Sequence, residues 1–236
     1  MNEFELMTDD SQAVVLASGG MDSATAAAVA QHAGNDLYML HTSYGQRTES
    51  KELECARAQA EHYDAADFLH LTTDHLSKIG ASSLTDEEMD VADADLDSDE
   101  VPSSYVPFRN SNLLSMAVSY AEANDCGTVY IGAHSEDFSG YPDCRPQFFE
   151  AFQQVVDVGT KDETSISIEA PFVEWSKTDI ARRGLELEVP YESTWSCYRD
   201  EAPACGTCDA CAFRLNAFQE VGNRDPIEYA ERPSYV

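Results

Sequence analysis

The chain has 236 residues, 43% of them hydrophobic and 25% charged, which suits one large globular domain or one domain with a small appendage. Its net charge of −30, from 14 Lys+Arg against 44 Asp+Glu, repels nucleic acid and anionic membrane. No run of about 18 apolar residues signals a membrane span, and the acidic start MNEFELMTDDSQ lacks the basic-then-apolar layout of a secretion signal. A cytoplasmic protein is expected. The acid is spread along the whole chain rather than gathered in a tail, which reads as adaptation to a salty solvent that screens self-repulsion over a few Å.

In chain order, AVVLAS (13–18) reads as a buried strand and MDSATAAAVAQHAG as an alanine-rich helix stopped by Gly34. DLYMLHTSY is a second strand, TESKELECARAQAEHY a helix and ADFLHLT a third strand. SLTDEEMDVADADLDSDEVPSSYVP, residues 83–107, is acidic and bounded by prolines, and reads as a long loop, either a lid or solvated surface. NSNLLSMAVSYAEAND is a helix with Asn110 or Ser111 as its cap. GTVYIGA and SISIEAP are a fourth and fifth strand, and KTDIARRGLEL a helix. Alternating strands and helices predict an α/β fold with an open, mainly parallel sheet and helices on both faces. The expected organisation is an α/β domain over 1–189 and a small C-terminal metal-stapled segment over 190–236.

Where the first strand runs into its helix, Ser18-Gly19-Gly20-Met21-Asp22-Ser23 is suited to an anion. Glycines let the backbone approach closely, successive N–H groups form a nest, and the helix N-terminus adds partial positive charge. Ser18, Ser23 and Thr25 can donate hydroxyls. The string lacks the lysine of a P-loop and the G-x-G-x-x-G of a dinucleotide fold. Instead it holds an acid, Asp22, which makes sense beside polyphosphate if Mg²⁺ lies between them.

Cys197, Cys205, Cys208 and Cys211 are spaced C-x7-C-x2-C-x2-C. Four thiolates this close suit one tetrahedral structural zinc with no position left for substrate. An iron–sulfur cluster shares the ligand set, and redox-active thiols are the further alternative. Cys55 and Cys126 read as small core residues.

The loop resembles the pyrophosphate-binding loop of the N-type ATP pyrophosphatases, also called the PP-loop superfamily, whose fold is of the adenine nucleotide alpha-hydrolase type. With the cysteines, and with SYGQR (43–47), GASSLT (80–85), VPFRN (106–110), EDFSGYPDCRP (136–146), Lys177-Thr178 and TWSCY (194–198), the chain resembles the 7-cyano-7-deazaguanine synthase family nearly end to end. Phe108 stands where that family more often has a small residue. The resemblance implies an ATP- and Mg²⁺-dependent ligase. It would convert 7-carboxy-7-deazaguanine and ammonia to the 7-nitrile through adenylated acid and amide, for queuosine- and archaeosine-type tRNA modification. The substrates would be small molecules, with no direct tRNA binding and a homodimer expected.

On that resemblance, the ATP loop comprises Leu16, Ala17, Ser18, Gly19, Gly20, Met21, Asp22, Ser23, Ala24, Thr25 and Ala26. His41 and Thr42, at the end of the second strand, would sit near adenine and ribose, because ligands of open parallel sheets lie beyond the strand C-termini. Asp22, Ser23 and Lys177 would be catalytic, Lys177 by neutralising charge on the α-phosphate. Arg109, Asp137, Asp143 and Arg145 would hold the deazapurine edge and the carboxylate. A thioimidate on Cys144 is not required by adenylate chemistry. A tRNA-thiolating relative would need an open reactive cysteine and a basic face, and a non-catalytic ATP-binding zinc protein would make no AMP.

Overall fold

The computed structural model describes residues 11–86, 88–94, 101–134 and 141–236. Among these residues the strands are β1 (Ser11–Leu16), β2 (Asn35–Ser43), β3 (Asp67–Thr72), β4 (Thr128–Tyr130) and β5 (Ser167–Glu169). They form one sheet in the order β3-β2-β1-β4-β5, with every neighbouring pair parallel. The order reverses between β1 and β4. Such a switch point opens a crevice beyond the strand C-termini, where open α/β sheets take their ligands.

After Ser11 and Gln12, β1 is apolar from Ala13 to Leu16, where both its faces are covered. Val15 joins a core with α1 (Met21–His32), α2 (Glu49–His62) and part of the C-terminal segment, while Val14 and Leu16 face the core under α4 (Arg109–Ala123) and α5 (Pro146–Gly159). Each fully buried Val or Leu contributes about 1.5–3 kcal/mol to such cores. The small side chains of α1 let it pack between the sheet and α6 (Lys177–Glu186): Ala24, Ala26, Ala27 and Ala30 are all fully buried. A short helix α3 (His75–Ile79) precedes the acidic stretch.

The structure departs from the sequence expectations in three places. The fourth and fifth strands are only three residues each, because the chain leaves the ladder after Tyr130 to build the crevice wall. α4 is not capped by Asn110 or Ser111, both of which lie inside it. Phe108, at φ +57°, turns the chain into the helix, and the Asn110 N–H donates 2.8 Å to Asp143 Oδ2, a capping group 33 residues away. Three helices went unread, the five-residue α3 and the longer α5 and α7 (Asp209–Glu220). α5 carries Phe149, Phe152 and Val156 on its buried side, and α7 carries Cys211, Leu215 and Phe218 on its own.

The C-terminal segment docks on the first core, where Ala217 and Phe218 pack with α1 residues. Arg214, fully buried, donates from Nε and Nη2 to the two carboxylate oxygens of Asp225 at 2.7 and 2.9 Å, and to Thr194 Oγ1 and the Tyr191 carbonyl. Buried charge is tolerated when its donors are satisfied in this way.

Candidate active site

A cavity of about 550 Å³ lies at the switch point. Its wall is built from the β1 end, the β2 end, Glu52 of α2, the segment after β4, the start of α4, Lys177, parts of the acidic loop and parts of the C-terminal segment.

At the β1 end, Gly19 takes φ +84°, and a Cβ there would lie 2.3 Å from the Glu52 carbonyl oxygen. Only glycine allows this turn to lie so close to α2. The Gly19 carbonyl accepts the Trp195 N–H at 2.8 Å and Gln59 Nε2 at 3.0 Å, so the turn is braced from α2 and from the C-terminal segment. Ser18 Oγ donates to Ser23 Oγ at 3.0 Å and accepts the Gly20 N–H at 3.2 Å. Behind the turn, a Cβ on Gly132 would lie 2.8 Å from the Asp22 carbonyl carbon, so the chain leaving β4 also requires a glycine against the helix start.

Of the eleven residues from Leu16 to Ala26, the cavity wall includes Leu16, Ala17, Ser18, Gly20, Asp22 and Ser23. Met21, Ala24 and Ala26 are fully buried in the core. The Thr25 hydroxyl is also unavailable to a ligand. It donates to the Met21 carbonyl at 2.8 Å and bonds the Tyr191 hydroxyl at 2.9 Å, because helical spacing turns position 25 away from the crevice.

Lys177, 155 residues from Asp22, places its Nζ 2.5 Å from Asp22 Oδ2 and 3.2 Å from His134 Nε2. Burial works to raise the Asp22 carboxyl, but the charge of Lys177, then His134, outweighs it and holds the group below the ordinary carboxylate value. Asp22 Oδ1 is buried with no hydrogen-bond partner among the described residues. That free oxygen at the edge of a phosphate turn fits a hard divalent cation.

His41 is buried, with Nδ1 2.8 Å from the Ala17 carbonyl. Burial lowers its pKa to about 4, against the opposing backbone bond, so the ring is neutral at physiological pH. With Nδ1–H donating to Ala17, Nε2 is left as an acceptor, and it has no partner among the described residues. The Thr42 hydroxyl is buried and unpartnered in the same way. Both residues line the cavity.

Arg109 enters from the start of α4. Its Nη1 donates 3.0 Å to the Tyr44 hydroxyl and its guanidinium lies 5.9 Å from the Tyr44 ring centroid. No carboxylate among the described residues forms an ion pair with it. Asp143 and Arg145 are not in the wall. One oxygen of the Asp143 carboxylate, Oδ2, accepts the Asn110 N–H at the α4 N-terminus, and Arg145 is exposed just before α5. Asp137 lies outside the described residues.

Beside the cavity, the Sγ atoms of Cys197, Cys205, Cys208 and Cys211 all lie within 4.8 Å of one another. Cys205 and Cys211 are 3.8 Å apart at sulfur, and tetrahedral thiolate ligands at Zn–S distances would stand about 3.8 Å apart. The Cys197 sulfur accepts N–H groups of Arg199, Asp200 and Cys205, and the Cys205 sulfur those of Thr207 and Cys208, at 3.3–3.4 Å. Such donors stabilise thiolates, so the four residues form one site that could hold a metal ion.

Residues 12–222 match the family described as Queuosine biosynthesis protein QueC. This chain belongs to the QueC family. It is similar to the 7-cyano-7-deazaguanine synthase of Halobacterium salinarum, at 80% identity over 95% of this chain and 98% of that protein. The synthase of Haloarcula marismortui is 76% identical over 98% of this chain and its own full length, and that of Chlorobium phaeobacteroides is 52% identical over 95% of this chain and its own full length. No helix among the described residues is long and apolar enough to cross a membrane.

In this QueC-family chain the sequence reasoning missed four residues of the site. Glu52 lines the cavity and accepts from Gln46 Nε2 at 2.9 Å and Thr48 Oγ1 at 2.7 Å, yet burial still raises its pKa. Tyr44 and His134 orient Arg109 and Lys177, and Gly132 abuts the turn. Glu52 was hidden in an ordinary helix pattern. The signal for Gly132 was present, as a glycine closing an apolar strand.

Proposed function

We propose that this chain is an ATP-dependent carbon–nitrogen ligase that converts 7-carboxy-7-deazaguanine and ammonia to 7-cyano-7-deazaguanine, for queuosine- and archaeosine-type tRNA modification. One observation carries the reading: a phosphate-suited turn and an arginine with no carboxylate ion partner among the described residues open into a single cavity. ATP and an organic acid can therefore meet there.

A carboxylate resists ammonia because resonance and charge disfavour attack. Its oxygen attacks the α-phosphorus of ATP, and pyrophosphate leaves. Ammonia then displaces AMP to give the amide. The amide oxygen is adenylated by a second ATP, and loss of AMP and a proton leaves the nitrile. The N–H groups and hydroxyls of Ser18, Gly19, Gly20 and Ser23 hold the β- and γ-phosphates. Lys177 offsets charge growing on the α-phosphate. His41 Nε2 and the Thr42 hydroxyl meet the adenosine, and Arg109, steadied by Tyr44, holds the acid by its carboxylate. Asp22 would hold Mg²⁺, which supplies charge neutralisation on the phosphates when bound.

The four cysteines suit a structural zinc, with three of the four buried and no open coordination position required. The substrates are small molecules, and tRNA is not bound directly. Residues 1–189 and 190–236 are proposed as the nucleotide-binding and zinc-binding parts of a cytoplasmic homodimer. Mass spectrometry of the products decides the reading. The acid, ammonium and Mg-ATP should yield AMP, pyrophosphate and the nitrile, and neither a bound-ATP state without AMP nor sulfur transfer to tRNA is compatible with it.

A further inference from the structure

The acidic stretch 83–107, expected to be a lid or solvated surface, is fastened at its described residues by two arginines. Arg47 donates from Nε to the Ser83 carbonyl at 2.7 Å, and from Nη2 to the carbonyls of Asp86 at 2.7 Å and Met89 at 2.5 Å. The next residues are held from the cysteine site. Arg199 donates from Nε and Nη2 to the Val91 carbonyl at 3.1 and 2.7 Å, and its Nη2 lies 3.0 Å from Asp93 Oδ1. Its Nη1 donates to Thr207 Oγ1 at 2.9 Å, and the Ala94 N–H donates to the Thr207 carbonyl at 2.8 Å. Val91 also packs against the apolar cluster around the cysteines.

Arg199 and Thr207 are themselves placed by the site. Their backbone N–H groups point at the sulfurs of Cys197 and Cys205. The segment they hold matters to the cavity, because Ala92 and Asp93 form part of its wall. Tyr198, between Cys197 and Arg199, lines the same cavity and packs with Tyr44, Leu84 and Val106. The fork of one guanidinium therefore ties three things together: the cysteine site, the acidic segment and the cavity wall.

We propose that Arg199 is a positioning residue for the ligase reaction. It locks the segment Val91–Ala94 to the metal-bound cysteine site and so sets the wall against which the deazapurine acid packs. This rests on the cavity being the acid's site, as proposed above. The cysteine site is then more than a stabiliser, since loss of its metal should free the cavity wall before it unfolds the sheet.

The test uses the full, metal-loaded chain with Arg199→Met and Arg199→Lys. Hydrogen exchange is read across residues 88–94, alongside metal content and steady-state kinetics. In Arg199→Met, exchange at Val91–Ala94 should rise at least about tenfold while metal content holds. The KM for the acid should rise roughly tenfold with kcat and the KM for ATP little changed, as expected when the binding-competent state becomes a minor one. Arg199→Lys should fall between, because lysine keeps the charge near Asp93 but not the planar fork. Chelation of the parent protein should give the same exchange signature ahead of any change in the sheet. Unchanged exchange in Arg199→Met overturns the proposal. So does faster exchange with an unchanged KM, or loss of metal from the variant, which would make the arginine only a support of the cysteine site. If the parent makes no nitrile, the functional reading fails while the exchange measurements still report on the clamp.

Discussion

Replacing Lys177 by methionine keeps most of the side chain's length and removes its charge 2.5 Å from Asp22 Oδ2. The two side chains are 11% and 21% exposed, so the pair is shielded from water but not dry. Removing one partner of a buried pair costs about 3–5 kcal/mol, and the partial exposure places the loss near ~3 kcal/mol. The pH dependence carries the stronger test. In the parent, Asp22 titrates below its ordinary value of 3.8. A depressed native pKa adds stability above the unfolded value, and that stability is lost as pH falls through the native one. Without Lys177, burial, already the largest single influence, loses its main opponent and the Asp22 pKa moves upward. The sign then inverts, so the variant is weakest at neutral and alkaline pH and recovers relative to the parent on acidification. Urea unfolding of both proteins at about pH 5 and about pH 8 measures the difference. Turnover should fall roughly 10²–10³-fold, the loss typical of a group that stabilises charge in the transition state. AMP release followed by mass spectrometry measures it. A variant that turns over within about twofold of the parent, with the parent's pH dependence of stability, would refute both the electrostatic pairing and the role of Lys177.

Four further outcomes follow from the same geometry. Gly19→Ala forces a Cβ to within 2.3 Å of the Glu52 carbonyl oxygen at φ +84°, so thermal unfolding should show a loss above about 1–2 kcal/mol and ATP binding should vanish. Thr25→Val removes a hydroxyl bonded only within the fold. It should cost about 1 kcal/mol in chemical denaturation while the KM for ATP stays within about twofold. Cys208→Ser should lower zinc content by elemental analysis and depress the melting temperature. With a net charge of −30, the melting temperature should climb as salt is raised and the protein should lose its circular-dichroism signature when salt is removed. A melting temperature indifferent to salt would rule out the halophilic reading.

The sequence alone determined the features written in neighbouring residues. Alternating apolar strands and helices announced a parallel α/β sheet, and Ser18–Ser23 announced a strand–turn–helix that suits phosphate, because glycine content and a helix start are local backbone properties. Four cysteines within fifteen residues announced their own convergence, since so short a chain brings them together. The tertiary structure decided what had to meet across the chain. Lys177 reaches Asp22 only because β4 lies beside β1 and α6 packs on α1. Asp143 looked like a ligand residue in sequence but caps α4, because the start of that helix needed a carboxylate that no local residue supplied. Glu52 enters the cavity wall because Gly19 lets α2 lie against the turn. Spacing governs which groups a short segment can present, whereas sheet order and helix packing decide which of those groups face one another.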